Sequence, residues 1–67
     1  MESGDHVDET GLLAREGAGF YLRRDRGGKF QLDLHRTPID QVEKRVRVIG
    51  TYVGADTVDV DGVSLID

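Results

Sequence analysis

The sequence predicts a small, mainly β domain with five strands and one short helix between the third and fourth strands. Apolar and polar residues alternate with period two, most clearly from Arg45 to Tyr52 and from Thr57 to Asp61. This pattern is typical of strands with one buried and one solvated face. Breaks rich in Gly and Asp separate the alternating segments, as turns require. The 67 residues suffice for one domain at most.

The first three strands are predicted at residues 9–15, 20–24 and 29–34, where the alternation is regular. The turn between the second and third strands falls at residues 25–28, which read Asp-Arg-Gly-Gly. Glycine adopts positive φ at little cost, so this tetrapeptide suits a tight hairpin.

A short helix is predicted from Pro38 to about Lys44, because the period of two ends there. Thr37 can cap the helix, proline suits its first position, and Asp40 favours the positive end of the helix dipole. The apolar face of this helix carries Ile39 and Val42.

The fourth strand is predicted at about residues 45–53 and the fifth from Thr57 onward, joined by a turn at residues 54–56. Asp61 and Gly62 then indicate either a bulge within the fifth strand or a turn to a last short segment, and the pattern does not choose between them. The strand parities and the helix face together predict the buried core, which comprises Leu13, Phe20, Leu22, Phe30, Leu32, Ile39, Val42, Val46, Val48, Val58 and Val60.

Three strands, a helix and two strands are the element order of the OB-fold, a five-stranded, partly open barrel. Closure removes exposed strand edges, which benefits so small a β domain. The alternative is an SH3-like barrel or a β-meander in which the helical turn is incidental. Residues 1–8 are acidic and without periodicity, so we expect a disordered tail followed by one domain at residues 9–67.

The composition bounds the classes of function. No cysteine is present, which excludes disulfides and thiolate chemistry. No apolar run is long enough to cross a bilayer and the acidic start is unlike a signal peptide, so we expect a cytoplasmic protein without a membrane partner.

All nine Lys and Arg residues lie between Arg15 and Arg47, although the net charge is −4. A mixed, soluble surface is favoured over a basic patch, because acids are interspersed.

One set of residues could bind a ligand, and its members are Tyr21, Arg23, Lys29, Gln31, Arg47 and Tyr52. In an OB barrel the outer face of strands two and three binds ligands, where aromatic rings stack on bases and cations track phosphates. Tyr21 and Arg23 have the outward parity of strand two. Lys29 and Gln31 have that of strand three. One aromatic ring with a few cations is a thin set for a nucleic-acid binder, and cross-strand polar pairing that solubilises the sheet is the favoured interpretation.

The remaining motifs do not support catalysis or a metal. Asp59 to Gly62 lacks the preceding acid, the final Glu and the flanking helices of an EF-hand. His6 and His35 are far apart in sequence, and no Gly-x-Ser-x-Gly motif is present. We therefore expect no cofactor, no metal and no enzymatic activity.

Five segments of the chain resemble a family of small uncharacterised bacterial domains with an OB-like β-barrel pattern. They are Gly11-Leu12-Leu13, Gly19-Phe20-Tyr21-Leu22, Gly27-Gly28-Lys29-Phe30-Gln31-Leu32, Lys44-Arg45-Val46-Arg47-Val48-Ile49-Gly50-Thr51 and Asp56-Thr57-Val58-Asp59-Val60. The resemblance implies the barrel and carries no catalytic or ligand-binding residue. Together with the residue patterns, it favours a non-enzymatic OB-like binding or interaction module for an unknown protein or small ligand, with weak single-stranded nucleic-acid binding as the alternative.

Overall fold

The computed structural model describes residues 2–17, 19–35 and 43–66. Within these residues the chain forms five strands and no helix, and the strands are β1 His6–Glu16, β2 Gly19–Arg24, β3 Lys29–Asp33, β4 Arg45–Gly54 and β5 Thr57–Leu65. They pair in the order β1-β2-β3-β5-β4, and β4 also pairs with β1, so the five strands form a closed ring. All neighbours are antiparallel except β3 and β5, which are parallel. This order contradicts a β-meander, in which consecutive strands pair.

Strand β1 begins earlier than predicted. His6, Val7 and Asp8 belong to it, and Val7 is fully buried and pairs with Gly50 of β4. The predicted disordered tail at residues 1–8 is therefore too long at its C-terminal end. Val7 has the same inward parity as the other buried residues of β1, so the strand extends to it. The acidic residues around Val7 conceal this alternation in the sequence.

The helix predicted from Pro38 to about Lys44 is not confirmed. Residues 36–42, which include its cap and its predicted core residues, lie outside the described residues. Glu43 has a positive φ of 65°, which an α-helix does not contain. Its N–H donates to the carbonyl of Leu13 at 2.6 Å, and the N–H of Leu13 donates to the carbonyl of Lys44 at 3.0 Å. The backbone of Glu43 and Lys44 is therefore hydrogen-bonded to β1, as in an extended segment and not as in a helix.

The core fills the inside of the ring. Its buried apolar residues are Val7, Leu13, Leu22, Phe30, Leu32, Val46, Val48, Tyr52, Val58 and Val60. Eight of these ten were predicted, and Val7 and Tyr52 were not. Phe20 is half-buried against this cluster, so its predicted burial is only partly confirmed. Ile39 and Val42 lie outside the described residues.

Two glycines allow the ring to close tightly. Gly11 pairs with Arg24 on one side and Val46 on the other, and Gly50 pairs with both Val7 and Val60. A Cβ atom on Gly11 would lie 2.1 Å from the Arg23 carbonyl oxygen, and one on Gly50 would lie 2.2 Å from that of Asp59. Backbone therefore packs against backbone at both places, where a side chain has no room.

The sequence at Asp61 and Gly62 forms a bulge within β5 and not a turn. Ile49 pairs with Gly62 whereas Gly50 pairs with Val60, so Asp61 is the extra residue. The extra residue shifts the alternation of β5, and Val63 consequently packs against the core.

Candidate functional site

A depression of about 550 Å³ lies on the outer surface of β1, β2 and β3. We call it the outer depression, and it is lined by Ala14, Glu16, Tyr21, Arg23, Gly28 and Lys29. Strand register assembles it, because Ala14 pairs with Tyr21 and Arg23 pairs with Lys29 across neighbouring strands. The structure thus brings together three of the predicted site residues.

Lys29 links the aromatic and acidic sides of the outer depression. Its Nζ atom lies 4.7 Å from the centre of the Tyr21 ring and 3.3 Å from Oε2 of Glu16. The ammonium group therefore covers one face of the ring, at a distance typical of a cation–π contact. A nucleobase that stacks on this face would have to displace Lys29.

Arg23 and Lys29 are the two exposed cations of the outer depression, and they differ in their partners. The side chain of Arg23 makes no ion pair with any residue in the ranges that the structure describes. Gln31 pairs with Tyr21 on the neighbouring strand and is exposed beside the depression, although it does not line it.

Tyr52 lies in the core and not on the binding surface that the sequence analysis assigned to it. It is 9% exposed, and its ring packs on Phe30 with 5.9 Å between ring centres. Its hydroxyl oxygen accepts a hydrogen bond from the N–H of Asp56 at 3.0 Å. Tyr52 shares the parity of Val46 and Val48, so the alternation of β4 already indicated that its side chain points inward.

Arg47 lies outside the outer depression and binds Asp8. Its Nε and Nη2 atoms donate to the two carboxylate oxygens at 2.8 and 2.6 Å. These hydrogen bonds, more than the charge attraction, lower the pKa of Asp8 and raise that of Arg47. The bidentate pair occupies the guanidinium group that the sequence analysis had assigned to a ligand.

Arg45 and Arg24, two further cations of the central segment, are also engaged. Arg45 contacts the carboxylate of Asp25, and this hydrogen bond, with a second from Thr10, lowers the pKa of Asp25. Arg24 packs over Phe30, with its guanidinium carbon 4.3 Å from the ring centre. The cluster of cations in the sequence is therefore a mixed surface in the fold, because acids from other strands lie between them.

Glu9 is a buried carboxylate that the sequence analysis did not single out. Its side chain is 8% exposed, and Oε2 lies 3.0 Å from Nη2 of Arg26, whose own side chain is mostly exposed. The inward parity of Val7, Gly11 and Leu13 includes Glu9 and could have indicated this position. The pair ties the turn between β2 and β3 to β1.

Replacing Arg26 by glutamine is expected to lower the free energy of unfolding by about 1–3 kcal/mol, because Glu9 then keeps a buried charge without its cation. Arg47→Gln is the matched control. It breaks a pair whose carboxylate, on Asp8, is 41% exposed, and we expect a smaller loss, because solvent screens exposed charges. Urea unfolding of both variants measures the difference. Equal losses would show that burial of Glu9 does not matter.

Among the residues that the structure describes, no group of three or more His, Cys, Asp or Glu side chains could hold a metal ion. Asp59, in the stretch compared above with a calcium loop, instead binds Nε2 of His35 at 2.9 Å. In the same part of the chain no helix is long and apolar enough to cross a membrane.

The fold and the site together define a class, a small five-stranded β domain with a mixed polar depression on its outer surface. A family model described as "Protein of unknown function (DUF5818)" matches residues 10–66. The chain belongs to this family. Comparisons with curated proteins and with solved structures give no match.

Proposed function

We propose that the chain is a non-enzymatic, OB-like binding module that recognises a protein or small ligand. The proposal includes a bacterial source and a location in the cytoplasm. The strand pairing supports the OB-like assignment. A closed ring of five strands, in which β1 pairs with β4 and β3 runs parallel to β5, has the connectivity of a five-stranded Greek-key barrel.

The outer depression is the observation that carries the proposal. It lies on β1, β2 and β3, and the outer face of strands two and three is where OB-folds bind ligands. Its volume, about 550 Å³, is within the range of small-ligand sites. Its side chains offer an aromatic ring, two cations and one carboxylate. Such groups support recognition of a ligand through charge and contact.

Weak single-stranded nucleic-acid binding is the second candidate. Tyr21 beside Arg23 and Lys29 favours it, since aromatic rings and cations are the groups that such binders use. Three observations disfavour it: Lys29 covers the Tyr21 ring, Glu16 lies within the depression, and the net charge of −4 repels a polyanion. We expect dissociation constants of about 10⁻⁴ to 10⁻⁶ M at physiological salt, which is the non-specific range.

Chemical-shift mapping of the labelled domain against short peptides, sugars and oligonucleotides tests both candidates. We expect the amide signals of Ala14, Tyr21 and Gly28 to shift with a peptide or sugar, and to shift only weakly with an oligonucleotide, less so at higher salt. Tyr21→Ala should reduce the ligand-induced shifts, whereas Val53→Ala, at an exposed apolar position of β4, should not. Sub-micromolar oligonucleotide binding that depends on Tyr21 would make nucleic acid the function.

A further inference from the structure

We infer that the outer depression binds an acidic peptide and that one peptide carboxylate is held between Arg23 and Lys29. This inference rests on the proposed function and names the ligand class of the same site. It begins from the register of β2 and β3, which places the two cations directly opposite each other on the outer face. Like charges in directly opposite positions destabilise a sheet, and an anion between them removes the repulsion.

Only one of the two cations is neutralised by the described residues. Glu16 lies 3.3 Å from Lys29, whereas Arg23 pairs with no acid in that part of the chain. Arginine presents a planar fork of N–H donors that matches the two oxygens of a carboxylate. Arg23 is thus the group expected to bind the anion, and Lys29 is expected to be shared between the ligand and Glu16.

The charge around the site selects a carboxylate over a polyphosphate. Glu16 balances the charge of Lys29, so one positive charge, that of Arg23, remains for a ligand. The Glu16 carboxylate repels any further negative charge on that ligand. Arg26, Arg45 and Arg47, which could have extended a phosphate track, are each bound to an acid. Because the depression is much larger than one carboxylate group, Tyr21, Ala14 and Gly28 can contact the residues of a peptide on either side of it.

The test titrates the intact labelled domain with a blocked acidic pentapeptide that carries a central glutamate, and with the same peptide carrying glutamine there. We expect the glutamate peptide to shift the amides of the outer depression and to bind at least tenfold more tightly than the glutamine peptide. Arg23→Gln should weaken glutamate-peptide binding about tenfold or more. Lys44→Gln, at an exposed lysine outside the depression, should change it less than about twofold.

Glu16→Gln is expected to strengthen binding of the acidic peptide, whereas Arg23→Gln weakens it. Without its carboxylate, Lys29 is released toward the ligand, so the acidic peptide should bind several-fold more tightly. This gain also protects the test against a folding defect, since a damaged variant would not bind better.

The outcomes separate the inference from the proposed function. Equal affinity for both peptides, or wild-type affinity in Arg23→Gln, overturns the inference and leaves the binding site in place. If a sugar or an oligonucleotide shifts the depression and neither peptide does, the inference fails and the proposed site stands. If no probe shifts these amides, both fail.

Discussion

Truncation of Phe30 to alanine is expected to destabilise the domain by about 3–5 kcal/mol. Phe30 is 3% exposed, and its side chain packs on Tyr52 and lies under the Arg24 guanidinium. A cavity there loses the contacts of all these groups. The free energy of unfolding of globular domains is about 5–15 kcal/mol, and a domain of this size lies near the lower end. A large fraction of the Phe30→Ala molecules should therefore be unfolded.

Circular dichroism and denaturant titration measure this loss. Phe20→Ala is the control, because Phe20 is a phenylalanine on the neighbouring strand that is only half-buried against the same core. Its truncation removes less apolar surface from the interior and should cost about half as much. An unchanged unfolding midpoint for Phe30→Ala would contradict the inward parity of β3.

Replacing Gly50 by alanine is the second large effect, with an expected loss of about 3 kcal/mol or more. The new Cβ would lie 2.2 Å from the Asp59 carbonyl oxygen and 3.0 Å from a Val58 methyl carbon. The first contact is with backbone, which cannot rotate away as a flexible side chain can. Strands β4 and β5 must therefore separate where they are paired.

Gly62→Ala is the matched control for this prediction. Gly62 lies in the bulge of β5 opposite Ile49, and a Cβ there meets no atom within 4 Å. We expect a change within about 0.5 kcal/mol in the free energy of unfolding. If both glycine variants unfold at the same denaturant concentration, the close approach of β4 and β5 at Gly50 does not exist in solution.

The sequence by itself determined which face each strand buries. Side chains alternate with period two along any strand, and this rule depends only on local backbone geometry. Leu22, Phe30 and Val48 could thus be placed in the core, and Tyr21 and Arg23 on the outer surface, before any strand pairing was known. Tyr52 shares the inward parity of Val46 and Val48, although its aromatic ring had suggested a ligand contact.

Only the tertiary structure decided which strands are neighbours and which charges meet. The parallel pairing of β3 with β5 and the return of β4 to β1 join segments far apart in the chain. Asp8 and Arg47, separated by 39 positions, form a bidentate pair through that closure. A sequence pattern reports the face of a residue and not its distance from remote residues. The closed ring therefore decided which charges of the expected mixed surface pair, and it left Arg23 as the cation of the outer depression without a described acidic partner.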